Sequence, residues 1–62
     1  MTAIKRERKA RNLSHDKLSA LSGVSRQAIS KIESGERNPT MLTVYKLISA
    51  LDLTFDEFAD KL

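Results

Sequence analysis

A short stretch of the chain carries five polar side chains at helical spacing. They are Arg26, Gln27, Ser30, Lys31 and Ser34. On a helical wheel of about 100° per residue, these five fall within about 140° of one another. Ile29 and Ile32 lie on the opposite side of the wheel. The pattern therefore predicts a helix that packs through its isoleucines and presents a polar ridge outward.

The chemistry of this ridge suits recognition of the edges of nucleic-acid bases. Arg forms two parallel hydrogen bonds to guanine, and Gln does the same to adenine. A helix of about 10–12 Å diameter fits the major groove of B-DNA. The alternative is a helix face that is merely solvated, and this helix taken alone leaves both interpretations open.

The elements that must position the ridge follow from apolar periodicity, which is helical throughout. The pattern predicts five helices, over about 2–11, 15–22, 26–33 and 41–51, with a last one after Thr54. Four hydroxyl residues can accept a free backbone N–H at a helix start. They are Ser14, Ser25, Thr40 and Thr54.

Other local signals agree with these boundaries. Gly23 can end the second helix and Asn12 the first, because both residues tolerate a positive φ. Thr54 and Glu57 have the spacing of a capping box. The apolar face predicted for the fourth helix consists of Met41, Val44, Leu47, Ile48 and Leu51. The apolar residues of the last helix are Phe55, Phe58 and Leu62.

Composition sets the outer limits. The chain has 62 residues, and we expect one domain over 1–62. Its net charge of +3 fits a polyanionic partner, although many ordinary surfaces reach this value. The first helix is basic and the last eleven residues are mostly acidic. With no cysteine and one histidine, neither a disulfide, a metal site nor a cofactor is expected.

Neither a membrane segment nor a catalytic group is indicated. No apolar run approaches the roughly 18–20 residues that span a bilayer. The first residues are charged and lack the apolar segment of a signal peptide, so none is expected. A cytoplasmic protein is therefore the expectation. Ser14, His15 and Asp16 are adjacent at a helix start, which is not the geometry of a nucleophile, its base and an orienting carboxylate. An enzyme is not expected.

Segment 13–39, LSHDKLSALSGVSRQAISKIESGERNP, resembles the helix-turn-helix of the Cro and phage-repressor family, also called the xenobiotic-response-element family. The resemblance extends from Ile4 to about Phe58. The matching positions are Leu13, Ser14, Leu18, Ser19, Gly23, Val24, Ser25, Arg26, Gln27, Ile29, Ser30, Ile32, Glu33, Gly35, Arg37 and Pro39.

The resemblance implies a compact, all-α, five-helix lambda-repressor-like domain that regulates transcription as a repressor and binds a palindromic operator. Its third helix would lie in the major groove of double-stranded DNA. The base contacts that it implies are Arg26, Gln27, Ala28, Ser30 and Lys31. Of these, Ala28 at the edge of the ridge would meet a thymine methyl group.

The resemblance also implies contacts to phosphates, which position a protein without reading sequence. His15 stands where the family usually has a glutamine that binds a phosphate. Free N–H groups at helix N-termini suit phosphates as well. The full expected set is Ser14, His15, Ser25, Ser34, Arg37, Asn38 and Thr40.

Two further expectations concern the first helix. Arg8 and Glu33 match family positions that form a partly buried ion pair. Glu7 stands where many family members have an apolar residue, so the first helix is expected to pack less tightly. The other basic residues there most often indicate a solvated face, with one or two as candidates for phosphate contact. They are Lys5, Arg6, Lys9 and Arg11.

A homodimer is the expected assembly, because one recognition helix reads only about four base pairs. Phe55 and Leu62 are assigned to its interface, while Leu53 and Phe58 can equally cap the monomer core. A DNA-binding antitoxin, whose main partner is a toxin protein, is the alternative function. The chain can also be the DNA-binding part of a longer regulator.

Overall fold

The structure is a computed structural model that describes residues 2–62. Within these residues it contains five helices and no strand. The helices are α1 (Thr2–Ala10), α2 (His15–Ser22), α3 (Arg26–Ser34), α4 (Met41–Ala50) and α5 (Phe55–Ala59). The all-α, five-helix prediction is confirmed, with single-residue differences at the ends of α1, α3 and α4.

The helix starts are fixed by the predicted hydroxyl caps. Ser14, Ser25 and Thr40 each accept the backbone N–H three residues later, at 3.0, 3.1 and 3.1 Å. Thr54 and Glu57 form both hydrogen bonds of the predicted capping box, at 3.2 and 3.1 Å. Each cap satisfies a backbone donor that the first helical turn leaves without a partner.

The helix ends use left-handed residues. Asn12 has φ 55° and Gly23 has φ 76°, as predicted. Gly35 ends α3 with φ 84°, and its N–H donates to the carbonyl of Ile32. Asp52 follows α4 with φ 61°, which the sequence pattern did not indicate. Aspartate is one of the few residues that adopt this conformation at modest cost.

One hydrophobic core joins all five helices. α1 packs on α3, α2 packs on both α3 and α4, and α4 packs on α5. The core residues are Ala3, Ile4, Leu18, Val24, Ala28, Ile29, Ile32, Val44, Leu47, Ile48, Leu51, Leu53 and Phe58. The two isoleucines of α3 are fully buried among them, so the outward direction of the polar ridge is fixed by packing.

Three of the apolar residues named for the last two predicted helices lie outside the core. Met41 belongs to the apolar face predicted for α4, but its side chain is 70% exposed. It is the first residue of α4, and the buried stripe begins one turn later at Val44. On the last helix Phe58 is buried, whereas Phe55 is 42% exposed and Leu62, beyond the helix end, is 75% exposed.

Glu7 is buried at a position where the family resemblance implies an apolar residue. Its carboxylate accepts a hydrogen bond from Arg11 at 3.0 Å and lies 3.9 Å from the Lys61 ammonium. The Arg6 guanidinium also donates to the Lys61 carbonyl. The hydrogen bond from Arg11 lowers the pKa of Glu7 more than burial raises it. These polar contacts bring the acidic C-terminal segment against α1.

Within residues 2–62, no helix combines the length and the apolar character needed to cross a membrane.

Candidate nucleic-acid interface

The polar ridge of α3 is exposed along its whole length. Arg26 and Gln27 occupy the first turn, Ser30 and Lys31 the second, and Ser34 the end of the helix. Since Ile29 and Ile32 hold the opposite side in the core, the ridge cannot rotate away without losing that burial. The helix therefore presents a rigid row of donors and acceptors to an external partner.

Ala28 does not belong to this ridge. The expectation that it contacts a base is corrected, because its side chain is nine-tenths buried and forms part of the core. The physical reason is its wheel position, about 40° from Ile32 and about 60° from Lys31, the nearest ridge residue, at about 100° per residue. Its methyl group therefore packs inside the protein, where Val24 and Ile32 also lie.

The ridge borders a shallow depression of about 450 Å³. Four of the expected base-contacting residues line it, together with His15 from α2 and Glu36 from the following loop. Arg26 also has a partner on α2, since its guanidinium nitrogen lies 3.4 Å from a carboxylate oxygen of Asp16. Both side chains of this pair are largely exposed. The pair is therefore weak and can open when a stronger partner arrives.

Sequence reasoning missed Asp16 and Glu36 at this interface. Asp16 and Arg26 are ten positions apart and lie on different helices. Helical periodicity predicts contacts within one helix only, so it could not indicate this pair. Only the packing of α2 on α3 brings the two together. Two carboxylates therefore lie near the ridge, Asp16 against Arg26 and Glu36 in the lining of the depression.

Three side chains form a cluster behind the ridge, which we call the Glu33 cluster: Arg8, His15 and Glu33. Arg8 binds the Glu33 carboxylate through two nitrogens, at 2.8 and 3.0 Å. Its third nitrogen donates to the Leu13 carbonyl at 2.8 Å. The predicted ion pair is thus present, and its side chains are only 9% and 5% exposed. It joins α1, the following turn and the end of α3.

The electrostatics of this cluster favour the charged forms. Burial by itself raises the pKa of Glu33, but the hydrogen bonds from Arg8 and His15 outweigh it and leave the pKa below its ordinary value. The hydrogen bond to Glu33 raises the pKa of Arg8 despite burial. Glu33 therefore stays ionised at neutral pH, and its charge is neutralised by Arg8 before any phosphate approaches.

His15 contributes its Nε2 to this cluster, 3.0 Å from a Glu33 oxygen. Because an ionised carboxylate only accepts hydrogen bonds, Nε2 carries the proton. In a neutral imidazole the other nitrogen, Nδ1, is then an acceptor and cannot donate to a phosphate. The phosphate contact expected of His15 therefore requires the imidazolium form or a side-chain rotation that breaks the bond to Glu33.

A second group of expected phosphate-binding residues lies around a smaller cleft of about 220 Å³. This cleft brings Ser25 at the start of α3 together with Arg37, Asn38 and Thr40 from the loop before α4. Lys46 also lines it, which the sequence did not indicate. Lys46 is an exposed residue of α4. Only its position shortly after the loop could have indicated that it lines this cleft.

The remaining phosphate candidates are separate from that cleft. Ser14 caps α2, and its oxygen is used by the Lys17 N–H. Its hydroxyl proton remains available to an acceptor. Ser34 donates to the Lys31 carbonyl at 3.1 Å, so its proton is already used in this structure. Among residues 2–62 there is no group of three or more histidine, cysteine or acidic side chains that could hold a metal ion.

A profile of the helix-turn-helix family matches residues 4–58, nearly the whole chain. The chain belongs to this family. The two helices that define the motif are α2 and α3, joined through Gly23. The resemblance to the Cro and phage-repressor type is thereby confirmed.

Two relatives extend the comparison. The chain is 40% identical over 52 residues to an uncharacterised helix-turn-helix-type transcriptional regulator, y4dJ, of Sinorhizobium fredii; the match covers 84% of this chain and 68% of the relative. It is 33% identical over 57 residues to the helix-turn-helix-type transcriptional regulator SutR of Escherichia coli, covering 92% of this chain and 32% of the relative. The chain thus spans about a third of the second relative. No solved structure matches it significantly.

Proposed function

We propose that this chain is a DNA-binding transcription regulator, acting as a repressor, that reads a palindromic operator through α3 in the major groove. The observation that carries the proposal is the rigid, exposed ridge on a helix whose isoleucines are fully buried. Family membership and two relatives named as transcriptional regulators support the same function.

The base-reading residues of the proposal are Arg26, Gln27, Ser30 and Lys31. Arg26 reaches a guanine once it leaves Asp16, and Gln27 pairs with an adjacent adenine. Exchanging the exposed Asp16 pair for a bidentate base contact is favourable, because exposed ion pairs contribute about 0–1 kcal/mol and a good base contact about 1–3 kcal/mol.

Phosphate contacts fix the register of α3 in the groove. Ser25, Arg37, Asn38 and Thr40 act together from their shared cleft, and Ser14 acts at the start of α2. Helix N-termini and basic side chains of this kind suit phosphate oxygens. Ser34 and His15 complete the proposed set on the other side of the ridge.

The proposed assembly is a homodimer on DNA. Phe55 is exposed yet stacks on Tyr45, with ring centroids 6.0 Å apart, and Leu62 is exposed beyond α5. An apolar surface of this kind favours contact with a second copy. A two-fold axis there sets two half-sites about one helical turn, roughly 34 Å, apart.

The antitoxin alternative differs in what covers the apolar surface. Met41 and Leu42 are also exposed, at 70% and 62%, and they extend that surface along α4. A toxin partner would bind there instead of, or beside, a second copy. Cooperative binding of this chain to a palindromic duplex, measured with no other protein present, would favour the homodimeric regulator over the antitoxin.

Selection of bound sequences from random DNA tests the function, because it gives the site, its symmetry and its spacing together. On the selected duplex, Arg26→Ala and Gln27→Ala should each weaken binding by about 1–3 kcal/mol and relax the preference at one base pair. A duplex of scrambled sequence at the same salt concentration is the control. Unchanged specific binding in both variants would show that α3 is not the reader.

A further inference from the structure

Four cations lie on α1 and a fifth, Arg11, directly follows it, and the five divide into two groups. Arg8 is bound by Glu33, Arg11 is bound by Glu7, and Arg6 contacts both Glu7 and the Lys61 carbonyl. The ammonium groups of Lys5 and Lys9, by contrast, make no hydrogen bond or ion pair with any residue between 2 and 62. Their charges are the uncompensated part of the basic first helix.

These two lysines share one location. They are four residues apart on α1, so they lie on the same face, one helical turn from each other. Both line a groove of about 380 Å³ between α1 and α3, which we call the α1–α3 groove. Its other polar lining residues include His15, Ser30 and Ser34.

The α1–α3 groove is continuous with the polar ridge. His15 and Ser30 line both this groove and the depression beside Arg26 and Gln27. A strand whose bases contact the ridge therefore has its backbone beside the groove. The one acid in the lining, Glu33, is already neutralised by Arg8, so it offers little repulsion to a phosphate.

We propose that Lys5 and Lys9 bind the DNA backbone in the α1–α3 groove, one phosphate to each ammonium group. This inference rests on the proposed function and adds α1 to the DNA-binding surface. Ammonium groups on flexible stems are point charges that suit phosphate oxygens and carry no base preference. The contacts therefore add affinity for any DNA sequence and leave the preferred site unchanged.

The test measures salt dependence with the full chain. Each phosphate contact contributes about −0.9 to the slope of log K against log salt concentration. The double variant Lys5→Gln with Lys9→Gln should bind the selected duplex and a random duplex more weakly by the same factor. Its slope should be shallower by about 2. The sequence preference should equal that of the unchanged protein.

A matched control separates contact from net charge. Arg6→Gln removes one charge from the same helix, but Arg6 faces Glu7 and Lys61. We expect Lys9→Gln to reduce the salt slope by about 1 and Arg6→Gln to leave it nearly unchanged. Lys5→Arg with Lys9→Arg keeps both charges and should retain the slope. Thermal unfolding of each variant verifies that it is folded.

Each outcome has one meaning. An unchanged slope in the double lysine variant, with the unchanged protein still binding its selected site, overturns this inference and leaves the proposed function standing. An equal loss of slope for Arg6→Gln and Lys9→Gln also overturns it, since general charge then explains the effect. Failure of the unchanged protein to bind any duplex overturns the proposed function itself.

Discussion

Glu33 connects three parts of the molecule through one carboxylate. One oxygen accepts hydrogen bonds from both Arg8 and His15, and the other accepts from Arg8. The carboxylate is buried beside the ridge, between α1 and α3, so it positions α3 and contacts no base in the proposed complex. Glu33 therefore has a structural role, although it lies near the proposed DNA-binding surface.

Glu33→Gln tests this role. It should destabilise the fold by about 2–3 kcal/mol at pH 7, because Arg8 loses its buried counter-charge. In the unchanged protein the pKa of Glu33 is lower folded than unfolded. Its contribution is therefore fully present above the ordinary pKa of 4.5 and is lost as pH falls through the lower folded pKa.

Urea unfolding at a series of pH values between 7 and 3 measures this effect. Glu7 also has a lowered pKa, so Glu33→Gln should still lose some stability as the pH falls, but less than the unchanged protein does. A variant whose stability falls with pH as steeply as that of the unchanged protein would refute the assignment to Glu33.

At the scale of elements, the turn between α2 and α3 sets how the ridge is presented. Gly23 ends α2 at φ 76°, and its N–H donates to the Ser19 carbonyl at 2.9 Å. A Cβ built on this residue would meet no atom within 4 Å. The need for glycine here is therefore conformational and does not arise from crowding.

Gly23→Ala should accordingly lower the free energy of unfolding by about 1 kcal/mol, the cost of a left-handed residue with a side chain. Gly23→Asn should cost less, because asparagine tolerates this conformation. Gly35→Ala is the matched comparison, since Gly35 has φ 84° and equally open surroundings. Denaturant unfolding measures all three, and an asparagine variant less stable than the alanine variant would indicate a steric cause.

At the scale of the whole molecule, charged and apolar surfaces are separated. The ridge and the α1–α3 groove are polar, whereas Tyr45 and Phe55 form a stacked pair exposed on α4 and α5. In the proposed dimer, the polar surface binds DNA and the apolar surface contacts the second copy. The dimer contact is expected to be small, so free copies associate weakly and a palindromic duplex completes the dimer.

Phe55→Asp should therefore abolish cooperative binding to the palindrome while leaving binding to a single half-site nearly unchanged. The introduced carboxylate would be desolvated in an apolar contact without a partner. Sedimentation with and without the duplex gives the stoichiometry, and Leu21→Asp, at another exposed apolar residue, is the control. A strict one-to-one complex of the unchanged protein at saturation would exclude the dimer, and cooperative binding by Phe55→Asp would place the interface elsewhere.

The sequence by itself determined the helices and the outward ridge. Caps such as Ser25 and Thr54 act on atoms three residues away, and the burial of Ile29 and Ile32 follows from helical spacing. Interactions of this range are encoded in consecutive residues, so they can be predicted without knowing the fold. The pairing of Arg8 with Glu33 spans 25 positions, and only the family resemblance indicated it in advance.

Only the tertiary structure decided which polar groups are free and which are occupied. Lys5 and Arg6 look equivalent in sequence, but Arg6 meets Lys61, 55 positions away, whereas Lys5 lines the α1–α3 groove. The same holds for the burial of Ala28. A side chain's partners depend on how helices pack, and residues distant in the chain meet only after the core has fixed that packing.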